Sequence, residues 1–213
     1  MIEALFQTIN RDKGGTGGYR VALTLTITKE ISPSLIETII AMDHDAYPPE
    51  DQMTRDRAVM IYGLIQDSLI LLKDGGQLIG FLSIYGVRPD LAPLAVARRQ
   101  PIFAVEEREH LIPILSGPAD GYLHNIILNP ECRGKGYRRY LYQGLKYWLN
   151  SHTGIERIWA DAVSAHGERA LAALGLAPCP QLHGLWCGDI QSVHGSLDRQ
   201  LAKNGSEPRI AFL

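Results

Sequence analysis

Residues 127–149 read ILNPECRGKGYRRYLYQGLKYWL. Arg133, Lys135, Arg138 and Arg139 surround Gly134 and Gly136, immediately before aromatic and aliphatic residues at helical spacing. A turn of this make-up at the mouth of a helix is an anion site. The first amides of a helix lack intrahelical acceptors, and the helix dipole is positive at that end. Glycine lets the main chain approach a ligand closely, and the cationic side chains can pair with phosphate oxygens. The same residues would also make an ordinary solvated helix start. The surrounding elements have to decide between a phosphate-bearing ligand, a nucleic acid and plain surface.

The totals narrow the choice. The chain has 213 residues, 46% hydrophobic and 21% charged, with a formal charge of -2. Those values fit one soluble globular domain with a substantial core. A dedicated nucleic-acid binder normally carries a basic total, and no aromatic platform interleaves with the basic turn. Cys132, Cys179 and Cys187 form no CxxC pair, so neither a disulfide framework nor a zinc site is expected. No apolar run reaches membrane-spanning length, and MIEALFQTINRDK does not resemble a leader. A cytoplasmic protein is expected, with no membrane or nucleic-acid partner; a homodimer is left open.

The elements that must position the turn are legible in outline. Residues 1–20 contain RDKGGTGGYR and read as a flexible lead-in to a single domain over 21–213. VALTLTITKE reads as a first strand, and SPSLIETIIAMDHDAY as a helix with a serine cap and an early proline. TRDRAVMIYGLIQDS gives a second helix, and LILLKDGGQLIGFLSIYGV a hairpin about Asp74-Gly75-Gly76. Residues 88–120, with five prolines, are long for a connection between strands and read as a lid or small subdomain; within them EEREH (106–110) reads as a solvated helix face. GYLHNIILN is the next strand, followed by a helix over about Gly136–Asn150, the strand IERIWADAV, the helix AHGERALAALGL and the strand HGLWCGDI. EPRIAFL is a candidate last strand. The order predicts an α/β domain with a mixed sheet.

NPECRGKGY in this strand–turn–helix setting resembles the Q/R-x-x-G-x-G/A motif of the GNAT superfamily of acyl-CoA-dependent N-acetyltransferases. SAHGERALAALGL is similar to that superfamily's following helix. The resemblance implies a mixed, mostly antiparallel central sheet flanked by helices, with 88–120 as an insertion between the third and fourth strands. It implies acetyl-CoA as acyl donor and an amine as acceptor. The backbone of Arg133, Gly134, Lys135, Gly136, Tyr137 and Arg138 would cradle the pyrophosphate, and Ile126, Ile127 and Leu128 would pair with the pantetheine arm through main-chain groups. Three departures stand out. Arg138 occupies a position that is usually Gly or Ala. The tyrosine that protonates the departing thiolate falls at Leu171, and an accompanying asparagine becomes Ser164. The third is the insertion itself.

Acyl transfer to an amine needs an uncharged nucleophile, a polarised carbonyl and a protonated leaving thiol. Tyr122 and His124 alternate on one face of the strand leading to the motif, where the family often places a base. His124 is the first candidate because imidazole titrates near neutrality; its alternative is a histidine hydrogen-bonded at a strand edge. Ser164 and His166 are candidate proton donors, with Ser164 equally suited to cap a helix. Asp43, Asp45, Glu50 and Asp51 lie where the family shapes its acceptor pocket and could hold a cationic amine, or simply form a solvated helix end. His44 beside them lacks ligand spacing for a metal, and none is expected.

Overall fold

The computed structural model describes residues 6–10, 22–113 and 117–202. Eight strands form one sheet: β1 (Phe6–Asn10), β2 (Ala22–Thr28), β3 (Leu69–Asp74), β4 (Gln77–Val87), β5 (Ala119–Leu128), β6 (Ile155–Asp161), β7 (Ala177–Pro178) and β8 (Leu185–Asp189), in the order β1-β2-β3-β4-β5-β6-β8-β7. Every neighbouring pair is antiparallel except β5 with β6. A parallel pair needs a crossover, and here it is α5 (Arg138–Ser151). The remaining helices are α1 (Pro33–Ala46), α2 (Arg55–Leu64), α3 (Leu91–Arg98), α4 (Ile102–Val105), α6 (Ala165–Ala173) and α7 (Ile190–Ala202).

Local chemistry accounts for the main boundaries. Ser32 Oγ accepts the Leu35 amide and Pro33 opens α1, as its sequence predicts. Thr54 caps α2 in the same way. The β3–β4 turn places Gly75 and Gly76 at φ 59° and 86°, the pair of positive dihedrals that a tight hairpin requires.

Two apolar layers sandwich the sheet. One lies under α5 and α7 and includes Leu25, Ile70, Leu123, Leu145, Trp148 and Leu197. The other lies under α1, α2 and the 88–118 segment and includes Ile39, Ile61, Phe81, Tyr85, Leu91 and Ile102.

Several expectations need correction. Phe6–Asn10, within the segment read as a flexible lead-in, pairs antiparallel with β2, while 11–21 lie outside the described residues. Strand β1 raises the strand count, so the long segment separates the fourth and fifth strands. That segment folds as α3, α4 and a 3-10 turn over Arg108–His110. Glu106, read as part of a solvated face, is buried against Arg57. Helix α7 had no counterpart in the sequence reading, and EPRIAFL lies outside the described residues. Among the described residues no helix is long and apolar enough to cross a membrane.

Candidate active site

Strand β5 runs parallel to β6 only from Ala119 to Tyr122, which pairs with Trp159. Beyond that point the two strands part. The opening is a cleft of ≈ 480 Å³ lined by Leu123–Leu128, by Ala160–Ser164, by α6 and by the turn before α5. The other edge of β5 remains paired with β4, and the Asn129 amide donates to Ile79 O on that side. Alternation along the strand therefore turns the main-chain groups of Ile126 and Leu128 toward the cleft. Leu128 O already accepts from Arg133 Nε at 3.2 Å, which leaves the Leu128 amide directed at the open side.

The basic turn closes one end of this cleft. Gly134 and Gly136 sit at φ 74° and 78°, dihedrals that side chains with a Cβ rarely adopt. Nothing lies within 4 Å of where a Cβ would stand on either residue. The glycines thus serve backbone conformation and leave a cradle open in front of the α5 amides. Helix α5 begins at Arg138, two residues later than its sequence suggests. Tyr137 is buried and its hydroxyl donates to Asp74 at 3.3 Å. Arg138 Nη2 contacts His166 Nε2 at 2.6 Å. That guanidinium, first among the causes, lowers the His166 pKa, so the exposed imidazole is held neutral. Lys135 is exposed at the tip of the turn.

At the other end, a register shift between Ser83 and Ile84 leaves His124 unpaired with β4 as a β-bulge. The bulge brings consecutive side chains to one face. The His124 ring lies 5.6 Å from Tyr122 and 6.2 Å from Tyr85, and Asn125 Nδ2 reaches Asp43 Oδ1 on α1 at 3.2 Å. Asn125 Nδ2 also lies 3.3 Å from His124 Nδ1. The Asp43 carboxylate turns the amide NH2 inward, so Nδ1 of His124 is an acceptor and the neutral ring carries its proton on Nε2. Burial, followed by the charge of Arg57, pushes this imidazole down to about 3. His124 therefore faces the site as a hydrogen-bond donor.

Around His124 lies a buried polar group that the sequence did not single out. Arg57 Nη2 pairs with Glu106 Oε2 at 2.7 Å, and Arg57 Nη1 donates to Phe103 O. The Tyr85 hydroxyl donates to Glu106 Oε2 at 3.1 Å, and the Tyr122 hydroxyl to Asp161 Oδ2 at 2.7 Å. Phe103 N–H also reaches Asp161 Oδ2, at 3.4 Å. Burial raises Glu106 to about 7 and Asp161 to about 6, against the lowering effect of Arg57 and the hydrogen bonds.

The other sequence candidates are accounted for individually. Ser164 Oγ caps α6 by accepting the Gly167 amide at 3.1 Å. Leu171 is buried and lines the cleft with no hydroxyl to offer. Asp43 is buried and engaged with Asn125 and the Met53 amide. Asp45 and Glu50 are exposed and Asp51 is half-buried, none of them lining the cleft. His44 Nε2 contacts Met53 O at 3.1 Å. No group of three His, Cys, Asp or Glu side chains among the described residues could hold a metal. An acid at the end of the apolar strand IWAD was the available signal for Asp161. Arg57 and Glu106 gave none, because their pairing spans 49 residues.

The sequence matches a known family over most of its length. The profile described as Acetyltransferase (GNAT) family matches residues 36–175. The chain belongs to this family. Its fold is shared by solved GNAT structures at low identity. A mosquito arylalkylamine N-acetyltransferase-like 5b is 12% identical with a TM-score of 0.51, covering 79% of this chain and 100% of that one. Ard1 from Thermoplasma volcanium is 11% identical with a TM-score of 0.53, covering 79% and 97%. Arabidopsis thaliana Naa50, solved with a bisubstrate analogue CoA-Ac-MVNAL, is 7% identical with a TM-score of 0.53, covering 78% and 97%. No curated protein matches the sequence.

Proposed function

We propose that the protein is an N-acetyltransferase that moves an acetyl group from acetyl-CoA to an amine of a small molecule or protein by direct attack. The observation that carries this reading is the pairing of an open glycine cradle before α5 with an unpaired edge of β5 on the same cleft. The Arg133–Arg138 main chain is suited to a diphosphate, and Arg133, Lys135 and Arg138 add positive charge. The outward main-chain groups of Ile126 and Leu128 suit an amide-bearing arm lying along β5 as an extra strand. Acetyl-CoA, when bound, supplies an acyl carbon activated as a thioester. The Leu128 amide and the Nε2–H of His124 are the donors available to a developing oxyanion. For the leaving sulfur, Ser164 and His166 line the cleft at the start of α6, but one is engaged as a cap and the other by Arg138.

The alternative is a non-catalytic acyl-CoA-binding module acting as a sensor. Buried Leu171, where the family's tyrosine would stand, favours it. Thiol release from acetyl-CoA across a panel of amines separates the two. The enzyme predicts release that depends on the amine. The sensor predicts binding with no release for any acceptor.

A further inference from the structure

We infer that Asp43 and Asn125 are positioning residues that lock His124 as a hydrogen-bond donor to the thioester carbonyl oxygen. This rests on the acetyl-transfer reading and deepens it: the imidazole keeps its proton throughout and is not the base.

The β-bulge makes the arrangement possible. Successive residues of a regular strand point to opposite faces, but the extra residue opposite Ser83 and Ile84 brings His124 and Asn125 to the same side. Both line the cleft. Asp43 stands behind them on α1, buried, with Oδ2 taken by the Met53 amide at 2.7 Å and Oδ1 by Asn125 Nδ2 at 3.2 Å. A carboxylate only accepts hydrogen bonds, and the reverse amide orientation would set two oxygens against each other in a buried site. Burial raises the Asp43 pKa, while the Met53 amide, the charges of His44 and Arg57 and the Asn125 hydrogen bond favour the carboxylate. The second N–H of the amide then falls to His124 Nδ1, at 3.3 Å. Tyr122 and Tyr85, with ring centroids at 5.6 and 6.2 Å, restrain the plane of the imidazole. With Nδ1 engaged, Nε2–H is what the ring offers to the cleft. An arm paired with Leu128 and Ile126 runs along β5 from the glycine turn toward this point. His124 lies four residues, or roughly 13 Å, beyond Leu128, so the thioester end of the arm arrives beside it.

The step takes no proton from His124. The lone pair of the acceptor nitrogen forms the C–N bond, and the C=O π pair moves onto oxygen, which accepts the Nε2–H hydrogen bond. Return of that pair breaks the C–S bond, sulfur leaves with the bonding electrons, and the proton shed by nitrogen ends on sulfur. A donor oriented in advance needs no reorganisation as the charge develops. Asp43 and Asn125 act only through the ring.

The test is the double exchange Asp43→Asn/Asn125→Asp in the full chain. It conserves volume, net charge and the number of hydrogen bonds, and an amide at position 43 can still accept from Met53. The carboxylate, however, now faces Nδ1 and draws the ring proton there. Nitrogen NMR should show His124 protonated on Nε2 in the wild type, unchanged across neutral pH, and protonated on Nδ1 in the variant. Isotope-edited infrared spectra of bound acetyl-CoA should show the carbonyl stretch lowered by the wild type, with most of that shift lost in the variant. A pair that served packing alone would leave the stretch the same in both. That result would overturn the assignment while leaving the acyl-CoA reading intact. So would two readings that need no variant: wild-type His124 protonated on Nδ1, or titrating near its ordinary 6.5. Absence of acetyl-CoA binding to the wild type would overturn both readings.

Discussion

Arg57 shows how a single residue ties the inserted segment to the wall of the cleft. Its guanidinium holds Glu106 and the Phe103 carbonyl, and Phe103 in turn donates its amide to Asp161. Removing one partner of a buried ion pair leaves the other charge uncompensated, at a cost of about 3–5 kcal/mol. Arg57→Ala should lose stability on that scale in urea denaturation. The loss should depend on pH. Burial raises Glu106 above its unfolded 4.5 to about 7 in the folded protein even with Arg57 present. Without Arg57 the folded value rises further, so the folded state increasingly favours the protonated acid. An acid with a raised folded pKa loses stability as pH climbs above its unfolded value. The deficit of Arg57→Ala should therefore be smallest near pH 5 and larger at pH 8; a constant deficit would mean that Glu106 does not sense Arg57.

At the scale of elements, α5 is the part most tightly specified. A Cβ added at Gly144 would meet Ile70 Cγ2 at 2.4 Å, so this glycine allows the helix to sit down on β3. Gly144→Ala gains about 1 kcal/mol in helix propensity but overpacks at a cost of about 1–3 kcal/mol, and should lower the denaturation midpoint. Gly63→Ala in α2 meets nothing within 4 Å and should raise it by up to about 1 kcal/mol. Thermal or urea melts of the two variants provide the comparison; a stabilised Gly144→Ala would contradict the packing described. Elements with their own strong signals were readable in advance: the capped α1, the Asp74-Gly75-Gly76 hairpin and the strand–turn–helix at Leu128–Arg138. Elements that exist through tertiary contact were not. Helix α7 has Val193, Leu197 and Leu201 at helical spacing, but Gly195 and several polar residues between them mask it until α5 and the sheet supply a partner. The bulge at His124 leaves no mark in a sequence of alternating residues, so Asn125 went unnoticed although it orients the histidine.

Across the whole molecule the charge is nearly balanced, at -2, and the cationic groups of the turn are concentrated at one end of the cleft while Asp161 and the His124 bulge lie toward the other. That polarity suits an anionic donor entering at the α5 end and a cationic acceptor meeting it near the bulge. The long inserted segment was legible as more than an idle connection, but its packing through Phe103 and Glu106 against Arg57 was not. Because acetyl-CoA would bind only the folded chain, it should stabilise by mass action, by about 2.7 kcal/mol at a hundredfold excess over Kd. A melt with saturating acetyl-CoA should shift upward, and a melt with adenosine alone much less.

The most direct measurement is calorimetric titration of acetyl-CoA into the protein and into Gly136→Val. A β-branched residue cannot readily hold the φ of 78° at this position. One binding event per wild-type chain, weakened at least tenfold in the variant while its fold by circular dichroism is kept, is the predicted result. No heat with the wild type, or equal affinity in both, would contradict a diphosphate held by the turn before α5.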